Sequence, residues 1–383
     1  MQSVKEQQTS KQNQLPLNEV GINTQSTLAE TIQEARRQVE ICNACRYCEG
    51  YCSVFPAITR ERTFNEGDIT QLANLCHNCR GCYHACQYTE PHEFSLNLPK
   101  VLAEVRQGSW EDHAFPQLFG KAFHRYGLAI ALAAIVGFAL LMWIVSMFEF
   151  SGGEGFYAVL PHNAMVALFM PAFLLPLLSI AISIQRYWLT IGGGSITFQD
   201  VSMAFGSVAK MKNLSGGHGD GCNFENEDEF SHRRRWLHQC VMYGFLLCFA
   251  STSAGTVMHY FFNLPAPYDL ISFPKLFGVT GGILLSLGTL GMIALKLKAE
   301  RFLSDGTVWS GEMGFIVLLC FVSTSGLGLY LFSESQWLTE LLVLHLGGVL
   351  AFFLLTPYSK MVHGFFRLAS LIKDEQIKRL SSK

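Results

Sequence analysis

Four cysteines fall within eleven positions in the stretch CNACRYCEGYC, residues 42–52, at the spacing C-x2-C-x2-C-x3-C. The stretch CHNCRGCYHAC, residues 76–86, repeats that spacing. Three thiolates placed so closely can hold three irons of a [4Fe-4S] cluster, and in chains with two such runs the fourth cysteine ligates the other cluster. Cys42, Cys45 and Cys48 are therefore expected to share one cluster with Cys86, and Cys76, Cys79 and Cys82 a second with Cys52. A zinc site needs four ligands around one ion and usually shows two separated C-x2-C pairs. Triplets with a trailing fourth cysteine suit the corners of a cube better. Disulfides are the least favoured reading, because dense cysteines on the reducing side of a membrane usually mean metal.

Four histidines point to a second chemistry. His238 and His259 fall in one apolar segment, and His345 and His363 within or at the end of another. An ionisable residue in a membrane-crossing segment is a functional candidate. Imidazole suits axial ligation of haem iron, and a b-type haem needs no C-x-x-C-H attachment motif. On a continuous helix His345 and His363 are five whole turns apart, on one face and separated by ~27 Å. His238 and His259 are roughly 60° off a shared face and ~31 Å apart. Pairing by level then predicts two stacked bis-histidine sites for one or two b haems, His238 with His363 near the inner surface and His259 with His345 near the outer one. Interfacial residues at wet helix ends are the plain alternative. His124 and His162, also near span ends, lack a level-matched partner and stand in reserve.

The elements that must position these groups divide the chain in two. Residues 1 to 125 are polar and hold eight of the twelve cysteines. Half of the whole chain is hydrophobic and only 15% is charged, against roughly 25% in soluble domains. A net charge of -2 lacks the basic surplus that nucleic acid requires. Helix crossing of a bilayer takes about 20 apolar residues. Six segments qualify: Leu128–Phe148, Ala164–Ile184, Leu237–Phe262, Leu276–Leu295, Gly314–Phe332 and Leu338–Val362.

Lys and Arg mark inner loops. The 149–163 and 333–337 loops have none, and the 263–275 loop has only Lys275. The alternate loops carry Arg186, Lys210, Lys212, Arg233, Arg234 and Arg235, then Lys296, Lys298 and Arg301, and Lys373, Lys378 and Arg379 follow the last span. The expected location is the inner membrane, with the cysteine region and both termini cytoplasmic. The start, MQSVKEQQTSKQNQLPLNEV, has neither the apolar core nor the cleavage site of a secretory signal and reads as a disordered tail.

Local signals around the cysteines are helical. TLAETIQEARRQVEIC has apolar positions at helical spacing, and Asp68 in RTFNEGDITQLANLC suits a helix cap. The run LLCFASTS at 246–253 returns as LLCFVSTS at 318–325. Such small and hydroxyl residues favour close helix packing in lipid, with Cys248 and Cys320 as inert core residues.

The cysteine region resembles the α-helical ferredoxin domain of fumarate-reductase, glycolate-oxidase and heterodisulfide-reductase iron–sulfur subunits. It departs from them in having Ser53 and Gln87, not proline, directly after each fourth cysteine. HLGGVLAFFLLTPYSKMVH resembles the haem-bearing helix of the nitrate reductase gamma subunit. Over residues 30 to 370 the chain is similar to the tricarballylate- or citrate-utilisation protein B family, through both cysteine blocks, CQYTEPHEFSLNLP at 86–99, RRRWLHQCVMYGFLLCF at 233–249 and the TPYSKMVHGFFR end. The resemblance implies a membrane electron-transfer subunit that reoxidises the FAD of a partner dehydrogenase acting on tricarballylate or a related acid and delivers electrons to quinone. The fold expected is all-α: a tail over 1–26, a di-cluster ferredoxin-like domain over 27–120, a six-span membrane domain over 121–370 with an inner loop at 186–236, and a tail over 371–383. No nucleophile, acid–base dyad or flavin site is visible, which points to a subunit and not a stand-alone dehydrogenase. In the inner loop, SGGHGDGCNFENEDEF lacks the context of a nucleotide fingerprint. His218 and Cys222 there read as unliganded, and residues 214–226 as a dock for the dehydrogenase. The competing class is a transporter or anchor with a structural metal domain, but a carrier would show broken helices or inverted repeats around a midplane site.

Overall fold

The computed structural model describes residues 27–147, 156–216, 221–224, 229–264, 266, 268–299, 303 and 306–381. The tail expected at 1–26 and His218 lie outside them. Among the described residues there is no β-strand, only an isolated bridge between Cys222 and Ser231, so the fold is all-α as expected.

The cysteine region is built on α1 (Leu28–Cys45), α2 (Val54–Arg60), α3 (Glu66–Leu75) and α4 (Leu98–His113). Thr27 caps α1 in a reciprocal capping box with Glu30. In α3 the cap is Asn65, and Asp68 supplies the returning carboxylate, not the cap itself. Each box satisfies two backbone N–H groups that a helix start leaves without partners. The buried faces of these helices meet in one core that includes Ile32, Val39, Phe55, Ile58, Leu72 and Leu102.

Six helices are long and apolar enough to cross a membrane. They are α5 (Gln117–Ser146), α6 (His162–Thr190), α8 (Arg233–Phe262), α9 (Phe273–Lys298), α10 (Gly306–Leu331) and α11 (Leu338–Leu355), with α7 (Phe198–Ala209) inside the expected inner loop. The expected spans fall on these helices, which extend them at most ends. α8 runs along α9 and makes little backbone contact with α6 or α11. The approach to α9 is close because Gly244 faces Gly281: a β-carbon on Gly281 would lie 2.8 Å from the Cys248 amide nitrogen. Across the looser side, Phe245 meets Phe352 at 5.7 Å and Phe173 meets Phe249 at 6.3 Å between ring centroids.

Two expectations change at the end of the chain. The last span does not run unbroken to His363. Thr356–Tyr358 and Lys360–Val362 form 3-10 turns around an extended Ser359, because Pro357 has no N–H to continue the α-helical ladder. Lys360 is fixed there by Glu312 of α10 at 2.5 Å, which also pairs with Lys296. His345 and His363 therefore lie on different helices, and the five-turn spacing of a continuous helix does not apply. Of the stretch beyond, expected as a tail at 371–383, residues 371–381 belong to α12 (His363–Ser381), and 382–383 lie outside the described residues. α12 packs on α3 and α7: Leu371 enters the core of the cysteine region, Asp374 pairs with Arg60 and with Lys378 at 2.7 Å, and Arg379 grips Asp200 at 3.0 and 3.1 Å.

Candidate functional site

The first block begins in the last turn of α1, which holds Cys42 and Cys45, and Arg46 in the left-handed region turns the chain so that Cys48 can face back. The second begins at Cys76, the residue closing α3, and bends through left-handed Asn78 and Arg80 into a one-turn helix carrying Cys82. Cys42, Cys45, Cys48 and Cys86 line a cavity of about 210 Å³, together with Tyr47 and Tyr88. Cys52, Cys76, Cys79 and Cys82 line a second, tighter one of about 20 Å³ with His77 and Arg80. The fourth cysteine of each block thus faces the first three of the other, the exchange the spacing predicts. Cys82 also touches the first cavity, so the two quartets adjoin.

Burial, and then the neighbouring thiols led by Cys86, push Cys42 and Cys48 up to about 12. Burial also pushes Cys52 and Cys82 up, with Cys79 and its neighbours adding to it. Four thiolates crowded together are stable only beside positive charge, which an iron–sulfur core would supply. Among the described residues no three His, Cys, Asp or Glu side chains converge on one ion's position; the sulfurs surround spaces instead. Cys79 departs from its quartet, its thiol lowered foremost by a hydrogen bond with Cys222.

Of the predicted histidine pairs, the structure brings His238 and His363 together, with ring centroids 5.9 Å apart and planes at 80°. Metal–imidazole bonds of ~2.0–2.1 Å put the centroids of two rings on one metal about 6 Å apart. Nδ1 of His363 binds the Lys360 carbonyl, leaving Nε2 for a ligand in the manner of metal-bound histidines. Nδ1 of His238 is buried without a hydrogen-bond partner among the described residues. These two rings fit axial ligation. No ring contact joins His259 to His345 among the described residues. His345 Nδ1 meets Ser325 Oγ at 3.1 Å, so the second LLCF copy reaches a candidate histidine. His259 stacks on His162 at 4.3 Å, closer than two rings flanking one iron, and its Nδ1 is also buried without a partner. His124 faces Glu111 at 3.2 Å.

The second cysteine block is tied to the inner histidine pair. Arg234, four residues before His238 on α8, donates to the carbonyls of His77 and Asn78, both at 2.8 Å. Arg367, four residues after His363 on α12, donates to those of Cys76 at 2.7 Å and Asn74 at 3.2 Å. Residues four apart share a helix face about 6 Å apart along the axis, so each arginine holds the block one turn from its histidine. His77 is held well below its ordinary value by burial first, then by Arg367, Arg234 and His238. Within the described residues of 214–226, Phe224 lies over Arg80 and Arg234, and Leu214 and Cys222 are buried.

The family profile of citrate utilization protein B matches residues 122–382, and that of its Fer4-like domain matches residues 35–114. The chain is 40% identical over 353 residues to citrate utilization protein B of Escherichia coli, an overlap of 90% of this chain and 92% of the relative. The chain belongs to the citrate utilization protein B family. No solved structure matches it. Both thiol quartets fall inside the Fer4-like match, whereas the four histidines fall inside the longer one. Sequence reasoning on this family member missed Arg234 and Arg367, whose only sequence signal is their four-residue spacing from His238 and His363.

Proposed function

We propose that this protein is a membrane electron-transfer subunit that accepts electrons from a cytoplasmic FAD-dependent dehydrogenase of a citrate- or tricarballylate-type acid and passes them to the quinone pool. Two [4Fe-4S] clusters and one or two b haems, when bound, supply the one-electron steps. The observation that carries the reading is the double tie of the second cysteine block, through Arg234 and Arg367, to the helices bearing His238 and His363. The remaining roles follow from surroundings. Cys45 is exposed and Tyr47 beside it is 68% exposed, so the first quartet offers the entry to a partner. The second quartet is enclosed and adjoins the membrane end. Cys42, Cys45, Cys48 and Cys86 would hold the entry cluster, and Cys76, Cys79, Cys82 and Cys52 the relay. His238 and His363 would ligate the inner haem, with His259 and His345 assigned to an outer one. The histidine levels, the basic loops and the shared end of the cysteine region and α12 support an inner-membrane protein with both termini cytoplasmic.

Dithionite-reduced membranes containing the protein should show b-haem α-bands together with iron–sulfur EPR signals. Stoichiometric zinc with neither signal overturns the reading.

A further inference from the structure

Outside the two blocks, the soluble end of the protein holds one more cysteine. Cys222 is only 2% exposed and sits with Met211 and Leu214 in a small apolar nest that takes in Cys79 and Met242. The stretch carrying it is fastened from both sides. Cys222 and Ser231 exchange backbone hydrogen bonds of 3.0 Å. Phe224 lies under the guanidinium groups of Arg80 at 4.7 Å and Arg234 at 4.2 Å from its ring centroid. The arginine that fixes the second cysteine block to α8 therefore also fixes this loop over it. Cys222 packs against Cys79 in that nest, where a hydrogen bond between the two sulfurs lowers the Cys79 thiol, and Cys222 Sγ lies 3.5 Å from the Leu214 carbonyl. A thiol has a single proton to place. A metal-bound Cys79 is a thiolate, and a charged acceptor makes the stronger bond than a carbonyl.

We propose that Cys222 is a positioning residue that sets the potential of the second cluster: its S–H donates to the Cys79 sulfur, covers that corner from water and makes the second cluster easier to reduce than the first. This rests on the electron-transfer reading given above. Hydrogen bonds to ligand sulfurs and exclusion of solvent are among the levers that set cluster potential. A donor aimed at sulfur stabilises the added negative charge of the reduced state more than the oxidised state. The backbone leans the same way. In the second quartet Cys76 accepts from the Asn78 N–H at 3.4 Å, Cys52 from Val54 and Phe55, and Cys79 from Gly81. In the first quartet Cys86 accepts from the Tyr88 N–H at 3.4 Å and from Thr89. Cys222 adds a side-chain donor to the backbone donors of the second quartet, so an electron moves downhill from the exposed site to the enclosed one.

The test is an EPR-monitored redox titration of the full-length protein in membranes, comparing wild type with Cys222→Ala and Cys222→Ser. Cys45→Ser, which alters the first cluster alone, assigns the two signals. In Cys222→Ala the second signal should shift to lower potential, so that its oxidised-to-reduced ratio at a fixed ambient potential rises about three- to tenfold, a tenfold change being about 59 mV for one electron. Cys222→Ser, which keeps a donor, should show a smaller shift, and the first signal should not move in either variant. An unchanged second potential in both variants overturns the proposal. Equal shifts in both also overturn it, since they would report lost packing and not a lost donor. Loss of iron together with the second signal in both would make Cys222 a ligand, which overturns it too. Wild-type membranes without iron–sulfur signals would overturn the electron-transfer reading itself, whereas intact signals with an unmoved potential would sink only the role of Cys222.

Discussion

The two cysteine quartets share one spacing and sit in opposite surroundings. Around the first, Cys45 is exposed, Tyr47 projects into solvent, and Tyr88, His92 and Phe94 form an aromatic group with centroids 4.9–5.6 Å apart. Around the second, Arg106, Arg234 and Arg367 hold the carbonyls of Ala73, Asn74, Cys76, His77 and Asn78, and Cys222 and Phe224 close the side. Ligand spacing decides that each quartet can hold a cluster. It does not decide how the two quartets differ, because that follows from exposure, charge and donors brought by distant parts of the chain. One quartet is open at the surface and the other is enclosed and tied to the membrane helices.

The sharpest way to break this comparison is to remove the histidine pair beside the second site. His238→Ala or His363→Ala should abolish the inner b-haem absorbance in dithionite-reduced spectra while both iron–sulfur EPR signals persist. Retention of full haem absorbance in both variants would exclude the pair. His345→Ala should remove a second b-type feature if the outer level also carries haem, and an unchanged spectrum would confine haem to the inner level.

Next in size is the difference in access. Ferricyanide added to membranes should destroy the first signal before the second, because the first quartet is open at Cys45. Simultaneous loss would remove the distinction between entry and relay. A smaller effect is expected from Arg234→Ala and Arg367→Ala. Arg234→Ala strands the carbonyls of His77 and Asn78 and Arg367→Ala that of Asn74, since the Cys76 carbonyl keeps Arg106 at 2.9 Å; each one left buried without a donor costs about 1–3 kcal/mol. Stopped-flow spectra should show slower haem reduction with the first cluster unaffected. Lysine at either position should recover only part of the rate, since an ammonium does not reproduce the planar fork of arginine. The smallest effect belongs to Asp374→Asn, which weakens charged bonds to Arg60 and Lys378 worth about 1.5–3 kcal/mol. It should lower the temperature at which cluster absorbance is lost and move both sites together. A change at one site alone would contradict the shared core.

Much of this was readable from residue spacing. The exchanged fourth cysteines, Cys52 and Cys86, follow from the chemistry of paired runs, and the six spans from apolar length. The pairing of His238 with His363 followed from counting turns and Lys/Arg loops, although the turn count for His363 assumed a helix that Pro357 interrupts. What escaped was tertiary. Cys222 looked like an isolated residue because nothing in GDGCNF announces that Phe224 will lie beneath Arg80 and Arg234. Stacking of His259 on His162 depends on how two helices with little backbone contact lean together at one end. Residues 371–381 read as a charged tail because their buried positions, Leu371, Asp374 and Gln376, are few and partly polar.

The packing of α12 into the cysteine region carries a consequence for biosynthesis. Gln71 donates to the Ser370 carbonyl at 3.3 Å, and Leu371 completes a core whose other buried members, apart from Ala204 in α7, precede the first span in the chain. The cysteine region cannot reach its final packing until all six spans have been translated. A ribosome that stalls within the last span would therefore release a protein with every cysteine of both quartets and without the α12 contacts that complete the core around them.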